Sequence, residues 1–274
     1  MDAKPVILVT NDDGIYSPGL RLLYEAVKPL GRVFVVAPDT PKSASGLGIT
    51  LHKPLRLEKV RYWDIDIYTT NGTPSDVVYL ALTEVAERID LVVSGVNVGD
   101  NTSVQVILSS GTVGAAAQAA LLGIPAIAFS ADVDEPSDFE DEAYYRSVLR
   151  VARALSRLVL EKGMPEGADL LSVNFPRRIV DEERIRVALP ALLKYRQRVK
   201  VNVDPRGKKY YWIYGEIVPS PRDTDVGLVH KGGYTVVTPL KLSLAPCDTG
   251  AISRTEEMVE DLKSLLRALP QASP

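Results

Sequence analysis

Apolar residues along this chain recur in two patterns. Short, mostly apolar runs at Val6–Val9, Val33–Ala37, Leu91–Val93, Ala126–Phe129 and Leu170–Asn174 read as strands buried on both faces, as in a parallel sheet. Between them the spacing becomes helical. Leu20, Leu23, Tyr24 and Val27 follow Ser17-Pro18-Gly19, which offers an N-cap and a proline at the first helical position. Pro29 and Gly31 stop that helix, so the chain opens β-α-β, the unit of a parallel sheet. Val77, Val78, Leu80, Ala81 and Val85 predict a helix over Ser75–Arg88, after the turn Thr70–Pro74. An alanine-rich helix follows Ser109–Ala115, and Tyr144–Glu161 predicts a long one.

Other stretches depart from that alternation. Leu55–Tyr68 reads as hairpin material, and Asp132–Glu142 as an acidic, solvated loop. Ile185–Leu189 and Tyr195–Val203 read as strands around Pro190. Tyr210–Tyr214, after Pro205-Arg206-Gly207, reads as the return arm of a hairpin. Asp223–Val229 is a spacer, Tyr234–Leu240 a strand and Glu256–Leu269 a closing amphipathic helix. The expected organisation is an α/β core over residues 1–176, then a β-rich extension with a terminal helix over 177–274. An isolated two-stranded hairpin is marginal in water. Its aromatic arms therefore need a surface, either the chain's own core or a neighbouring subunit, and an oligomer interface is the more plausible use of them.

Composition narrows the class. The chain has 274 residues, 46% of them hydrophobic, enough for one large domain or one domain with an appendage. A formal net charge of −3 argues against nucleic-acid binding through a basic surface. The start, Met1-Asp2-Ala3-Lys4-Pro5, has no signal-peptide pattern. The apolar stretch Gly114–Ala131 is interrupted by Gln118, Gly123 and Pro125, so a buried helix and strand are expected there and no membrane span. A single cysteine, Cys247, excludes an intramolecular disulfide and fits a cytoplasmic protein.

The chemistry gathers where strands end. In an open α/β sheet, ligands bind at the carboxyl ends of the strands. Val6–Val9 runs into Thr10-Asn11-Asp12-Asp13-Gly14, with no basic residue before Arg21 apart from Lys4 upstream. Two adjacent carboxylates repel unless a cation lies between them, and a hard divalent metal suits carboxylate oxygens. The same stretch also suits a turn with a helix N-cap. Lys42-Ser43-Ala44-Ser45-Gly46 follows the second strand, and Ser94–Asn101 follows a later one, with Asn97 and Asp100 as oxygen donors. At Ser110-Gly111-Thr112 a helix start beside small residues offers N–H groups to an anion. Histidine is nearly absent: His52 and His230 lie outside these loops, which disfavours a Ser-His-Asp triad or a histidine-rich zinc site. There is no G-x-x-x-x-G-K-[ST] run, and Asp-Asp-Gly stands where a dinucleotide fingerprint would need glycines. Cys247 and Arg254 are one residue too far apart for a cysteine-phosphatase loop. What remains suits metal-assisted hydrolysis of a phosphate ester.

Five motifs in order resemble the survival protein E (SurE) family of metal-dependent 5′-nucleotidases. They are Ile7–Gly14 with Ser17-Pro18-Gly19; Ala37-Pro38-Asp39 with Ser43, Ser45-Gly46 and Ile49-Thr50; Gly72–Asp76; Ser94–Asn101; and Ser110–Ala116. Val173–Pro176, Thr224-Asp225 and Val237–Leu240 extend the likeness. The resemblance implies a Rossmann-like three-layer core with a mainly parallel sheet, and a hairpin and C-terminal helix used in oligomerisation, as a homodimer or a dimer of dimers. It implies hydrolysis of nucleoside 5′-monophosphates with one divalent ion, Mg²⁺ or Mn²⁺, per subunit. The implied metal ligands are Asp12, Asp13, Ser43 and Asn97. Asp12 and Asp13 are the catalytic candidates, and Asn101, Ser110, Gly111 and Thr112 the substrate-binding ones. The alternatives are a broader acid phosphatase, 3′-nucleotidase or exopolyphosphatase at the same site, or a non-enzymatic nucleotide-sensing assembly protein. Ser109 stands where many members have an aromatic residue, and Pro41 where many have Arg or Glu; both bear on substrate preference.

Overall fold

The computed structural model describes residues 4–244 and 249–268; Cys247 and Leu269 lie outside these residues. The chain divides into two compact units, one ending at Lys241 and one starting at Leu242. The first is built on a nine-stranded sheet. Its strands are β1 (Val6–Thr10), β2 (Arg32–Pro38), β3 (Leu57–Tyr62), β4 (Ile65–Thr70), β5 (Leu91–Val98), β6 (Ala126–Ala131), β7 (Leu170–Phe175), β8 (Ile185–Val187) and β11 (Thr235–Leu240). Across the sheet they run β3-β4-β2-β1-β5-β6-β7-β11-β8. From β4 to β7 every neighbouring pair is parallel. The outer strand β3 is antiparallel to β4, and β11 is antiparallel to β7. Strands β9 (Tyr195–Val203) and β10 (Lys209–Ile217) pair with each other as a separate hairpin.

The strand order explains where a site can form. β1 is the middle of the parallel region: the chain goes from it to β2 on one side and later returns to β5 on the other. Helix α1 (Pro18–Val27), which follows β1, packs with α5 (Glu142–Lys162). Helix α4 (Gly111–Leu121), which follows β5, packs with α2 (Pro74–Leu80) on the other face. The connections after β1 and β5 therefore diverge to opposite faces and leave a crevice at their carboxyl ends, the switch point of a doubly wound sheet. Both faces of β1 are covered, so Ile7, Leu8 and Val9 are fully buried, which is why this strand reads as an unbroken apolar run.

Several boundaries differ from the sequence reading. β5 does not stop at Val93 but continues through the glycine-rich stretch to Val98, pairing Ser94 with Ala128 and Asn97 with Ser130 around a bulge. Gly95 makes this possible: its φ is +122°, and a Cβ there would lie 2.1 Å from the Phe129 carbonyl oxygen. The expected helix over Ser75–Arg88 ends as a regular helix at Leu80 and passes into a π turn, Ala81–Val85. Two short helices lie outside the predicted elements: α3 (Val104–Ser109), in a stretch given no element, and α6 (Asp225–His230), in one read as a spacer. Each has a hydroxyl N-cap, Ser103 on the Val106 N–H and Thr224 on the Gly227 N–H. The second unit contains α7 (Thr249–Ala268), which begins at Thr249 rather than Glu256. Among the described residues, no helix is long and apolar enough to cross a membrane.

Candidate active site

The crevice at the ends of β1 and β5 is shaped by its backbone. After β1, the Asn11 side chain closes the turn on Gly14 from both sides: Oδ1 accepts from the Gly14 N–H at 3.1 Å and Nδ2 donates to the Gly14 carbonyl at 3.0 Å. Gly14 itself has φ +94°. This turn presents Asp12 and Asp13 in succession. The Lys42 N–H donates to the Asp12 carbonyl at 2.7 Å, tying the loop after β2 to the same point. Helix α4 comes close on the far side because Gly111 has no side chain; a Cβ there would lie 2.8 Å from an Asp12 carboxylate oxygen. Gly114, one turn on, sits where a Cβ would be 2.0 Å from the Gly46 carbonyl oxygen.

Three elements meet at the Thr112 hydroxyl. It donates to Asp12 Oδ1 in a short contact, and it lies 3.3 Å from Asn97 Oδ1. The orientation of Asn97 is fixed by its other end: Nδ2 donates to the carbonyls of Val98 at 3.0 Å and Gly99 at 2.7 Å. Its oxygen must therefore face Thr112 and the carboxylates. Asp13 accepts from the Val98 N–H at 3.3 Å. So Asp12 Oδ1, Thr112 Oγ1 and Asn97 Oδ1 share one hydroxyl proton, with a second carboxylate beside them.

The electrostatics agree. Burial raises the Asp12 carboxyl above its ordinary range, offset in part by the Thr112 hydroxyl and by the N–H groups of Thr112 and Gly111. Burial, with the Asp12 charge beside it, pushes Asp13 up to about 6. Among the described residues, no lysine, arginine or histidine forms an ion pair with either carboxylate. A buried, oxygen-only donor set that carries negative charge and lacks a counter-ion fits a hard divalent cation.

The other expected residues are placed as follows. Ser43 is exposed in the turn that follows Lys42. Ser110 caps α4, its hydroxyl oxygen accepting from the Val113 N–H at 3.1 Å. Asn101 is buried, its Nδ2 on Ser130 Oγ at 2.8 Å and its N–H on Asn174 Oδ1 at 2.7 Å. It anchors the loop to the sheet more directly than it faces the crevice.

A second charged cluster lies at the same sheet edge, and sequence reasoning missed it. Asp100 and Lys194, each with only 4% of its side chain exposed, form a short ion pair. His230, at the end of α6, places Nε2 3.4 Å from Asp100 and Nδ1 3.1 Å from Asp132. Ligand atoms of Asp100, Asp132 and His230 lie within 4.8 Å of one another, close enough to hold a metal ion. Lys194 already supplies Asp100 with a cation, however. Burial pushes Asp100 up, but the His230 hydrogen bond and the Lys194 charge outweigh it and hold its carboxyl well below the usual range. The two carboxylates raise His230 to about 9.

The fold and the crevice define an α/β protein of Rossmann-like architecture with an oxygen-donor site at its switch point. The family model for survival protein SurE matches residues 7–198. A curated 5′-nucleotidase SurE from Hyperthermus butylicus is 57% identical, over 100% of this chain and 99% of that protein. One from Pyrobaculum arsenaticum is 51% identical, over 89% of this chain and 92% of that protein. The crystal structure of a SurE protein from Aquifex aeolicus superposes with a TM-score of 0.75 at 37% identity, covering 93% of this chain and all of that one. The chain belongs to the SurE family.

Proposed function

We propose that this protein is a divalent-metal-dependent phosphomonoesterase that hydrolyses nucleoside 5′-monophosphates to nucleoside and phosphate. The observation that carries the reading is the buried Asp12–Asp13 pair at the switch point, facing the oxygens of Asn97 and Thr112 with no cation of its own. The relatives named 5′-nucleotidase SurE support the nucleotide as substrate.

Asp12, Asp13 and Asn97, with Ser43 from the adjoining turn, would hold the cation. When bound, Mg²⁺ or Mn²⁺, one per subunit, supplies positive charge against the phosphoryl oxygens and brings the attacking water within reach at neutral pH. The protein contributes the rest. The start of α4 turns the Gly111 and Thr112 N–H groups and the Thr112 hydroxyl to Asp12, and so would hold that carboxylate in place for the cation. Gly111 lets α4 close onto Asp12, since a Cβ there would lie 2.8 Å from an Asp12 carboxylate oxygen. Asp13, beside Asp12 at the strand end, is the group proposed to take a proton from water. Asn101 holds the β5 loop to the sheet through Asn174 and Ser130.

The β9–β10 hairpin supports the assembly part of the reading. Both arms are solvent-exposed along nearly their whole length, with Tyr211, Trp212, Ile213 and Val199 presenting apolar surface. Two strands cannot carry such a surface alone. A second copy is the partner, as a homodimer or dimer of dimers in which residues 177–274 serve oligomerisation. With one cysteine, a cytoplasmic location is consistent.

The purified chain, assayed for phosphate release from AMP, GMP, 3′-AMP, polyphosphate and p-nitrophenyl phosphate with and without Mg²⁺ or Mn²⁺, tests this. Metal-dependent release, fastest from the 5′-nucleotides, is expected. Equal rates across the panel would favour a broad phosphatase, and release that survives chelation would end the metal assignment. Sedimentation at low micromolar concentration should show a dimer or tetramer; a fully active monomer would overturn the role given to the hairpin.

A further inference from the structure

We propose that Lys194 and His230 are positioning residues for the active site: with Asp100 and Asp132 they form a four-charge latch through which the C-terminal half of the chain sets the orientation of Asn97. This rests on the reading of Asp12, Asp13 and Asn97 as the metal site.

The argument is geometric. Asn97 hangs on its own loop, since its Nδ2 is held by the carbonyls of Val98 and Gly99. Whatever shifts Gly99 therefore turns Asn97 Oδ1 relative to Thr112 and the carboxylates. Gly99 adopts φ +94°, and the next residue, Asp100, is where the loop is fixed. The Asp100 carboxylate accepts from the Thr102 N–H at 3.2 Å and the Thr102 hydroxyl, from Lys194 Nζ and from His230 Nε2. The last two come from the far side of the sequence. Lys194 stands just before β9 and His230 closes α6, so neither can be supplied by the β5 loop itself.

The same half of the chain also grips the next segment. Asp225, at the start of α6, accepts from the Ser103 N–H at 2.7 Å, and the Val104 N–H donates to the Ala191 carbonyl at 2.7 Å. These contacts hold α3, which leads directly into Ser110-Gly111-Thr112.

Charge is balanced within the latch: two carboxylates meet one ammonium and one imidazolium. His230 stays protonated at neutral pH, since its hydrogen bonds to Asp100 and Asp132 outweigh its burial and the Lys194 charge. Arg177 adds a further positive charge toward Asp132 from the end of β7, Asp225 a negative one toward Asp100 from α6, and Lys231 follows His230 on the chain. Groups outside a metal's ligand shell that orient its ligands typically alter metal affinity about 10–100-fold when removed.

The test measures Mn²⁺ affinity of the full chain without substrate, alongside Tm and phosphate release from AMP. Wild type should bind one Mn²⁺ per chain. His230→Gln, which keeps the side chain polar but removes its charge, should weaken Mn²⁺ binding about tenfold and lower kcat more than it raises KM. Asp132→Asn, which frees His230 without touching the loop, should give a smaller loss in the same direction and serves if His230→Gln does not fold. Lower Tm with unchanged Mn²⁺ affinity and kcat in both variants would show a purely structural cluster and overturn the proposal. A second Mn²⁺ per chain, lost in His230→Gln, would overturn it too, by making the cluster a metal site. Wild type that hydrolyses AMP while its variants do so equally well sinks only the latch; wild type that neither binds Mn²⁺ nor hydrolyses AMP sinks the underlying reading with it.

Discussion

The carboxyl edge of the sheet carries two pairs of carboxylates in opposite electrostatic states. Asp100 and Asp132 are neutralised by Lys194 and His230, and Asp100 titrates well below the usual range. Among the described residues, Asp12 and Asp13 hydrogen-bond only to hydroxyl and N–H groups, and both are raised. Burial is similar in kind at the two places; the difference is the presence of cationic partners. The first pair is complete as folded. The second keeps negative charge that folding leaves unpaired, which is the ground on which the metal is proposed there. Proximity of acids on a sheet edge is therefore a poor indicator of a metal centre until their counter-charges are known.

The largest contrast should appear in turnover. Asp13→Ala removes a ligand and the proposed base together, worth several kcal/mol of transition-state stabilisation. Phosphate release from AMP at saturating Mn²⁺ should then fall about a thousandfold or more. Near-normal turnover would erase the distinction drawn between the two pairs.

Stability should separate them by sign. Lys194→Met leaves Asp100 buried without its ammonium and should destabilise the chain by about 3–5 kcal/mol in chemical denaturation. Asp13→Asn relieves an unpaired charge and should instead stabilise the metal-free protein, by about 1–3 kcal/mol at pH 7. Losses of equal size in both variants would mean that the two pairs are alike.

Their pH dependence should differ in window. For Asp13 the folded value of about 6 lies above the unfolded value of about 4. Its contribution is full below about 4 and is lost as pH rises through about 6. For His230 the contribution is full below about 6.5 and is lost as pH rises through about 9. The Tm of the metal-free protein should therefore fall in an acidic and an alkaline step, and Mg²⁺ should suppress only the acidic one. An acidic step that persists in Asp13→Asn would assign it to another group.

Ser110→Ala should have the smallest effect. Its hydroxyl oxygen is committed to the Val113 N–H, so the loss should be that of an N-cap, about 1 kcal/mol. Mn²⁺ affinity should not change; a tenfold drop would show that Ser110 reaches the metal.

The Asp12–Asp13 pair was legible in the sequence because its signal is local. β1 is buried on both faces, so its apolar run is unbroken, and the two aspartates follow within a few residues. Asn97 was legible as a strand-end donor, although β5 extends through it, since a bulge and Gly95 allow pairing where glycine suggested a loop. The Asp100–Asp132 pair left no such trace. Asp100 meets Lys194 and His230 from distant parts of the chain, and neither lies in a strand-end loop; only the folded sheet brings them together. Thr112 was expected to present N–H groups to an anion, but its role in joining Asp12 to Asn97 depends on side-chain geometry that no spacing encodes. α3 and α6 were missed because a six-residue helix gives too few turns for periodicity to register.

The pairing of β7 with β11 bears on how the molecule is made. β7 is finished at Phe175, but the strand that covers its outer edge begins only at Thr235. At a synthesis rate of about 5–20 residues per second, that edge stays open on the ribosome for roughly 3–12 seconds. An unpaired, fully buried-type strand is a template for wrong partners during that interval. The two longest strands emerging meanwhile, β9 and β10, satisfy each other across a local turn and so do not compete for the edge. A nascent chain stalled between these two strands is where misassembly should be concentrated.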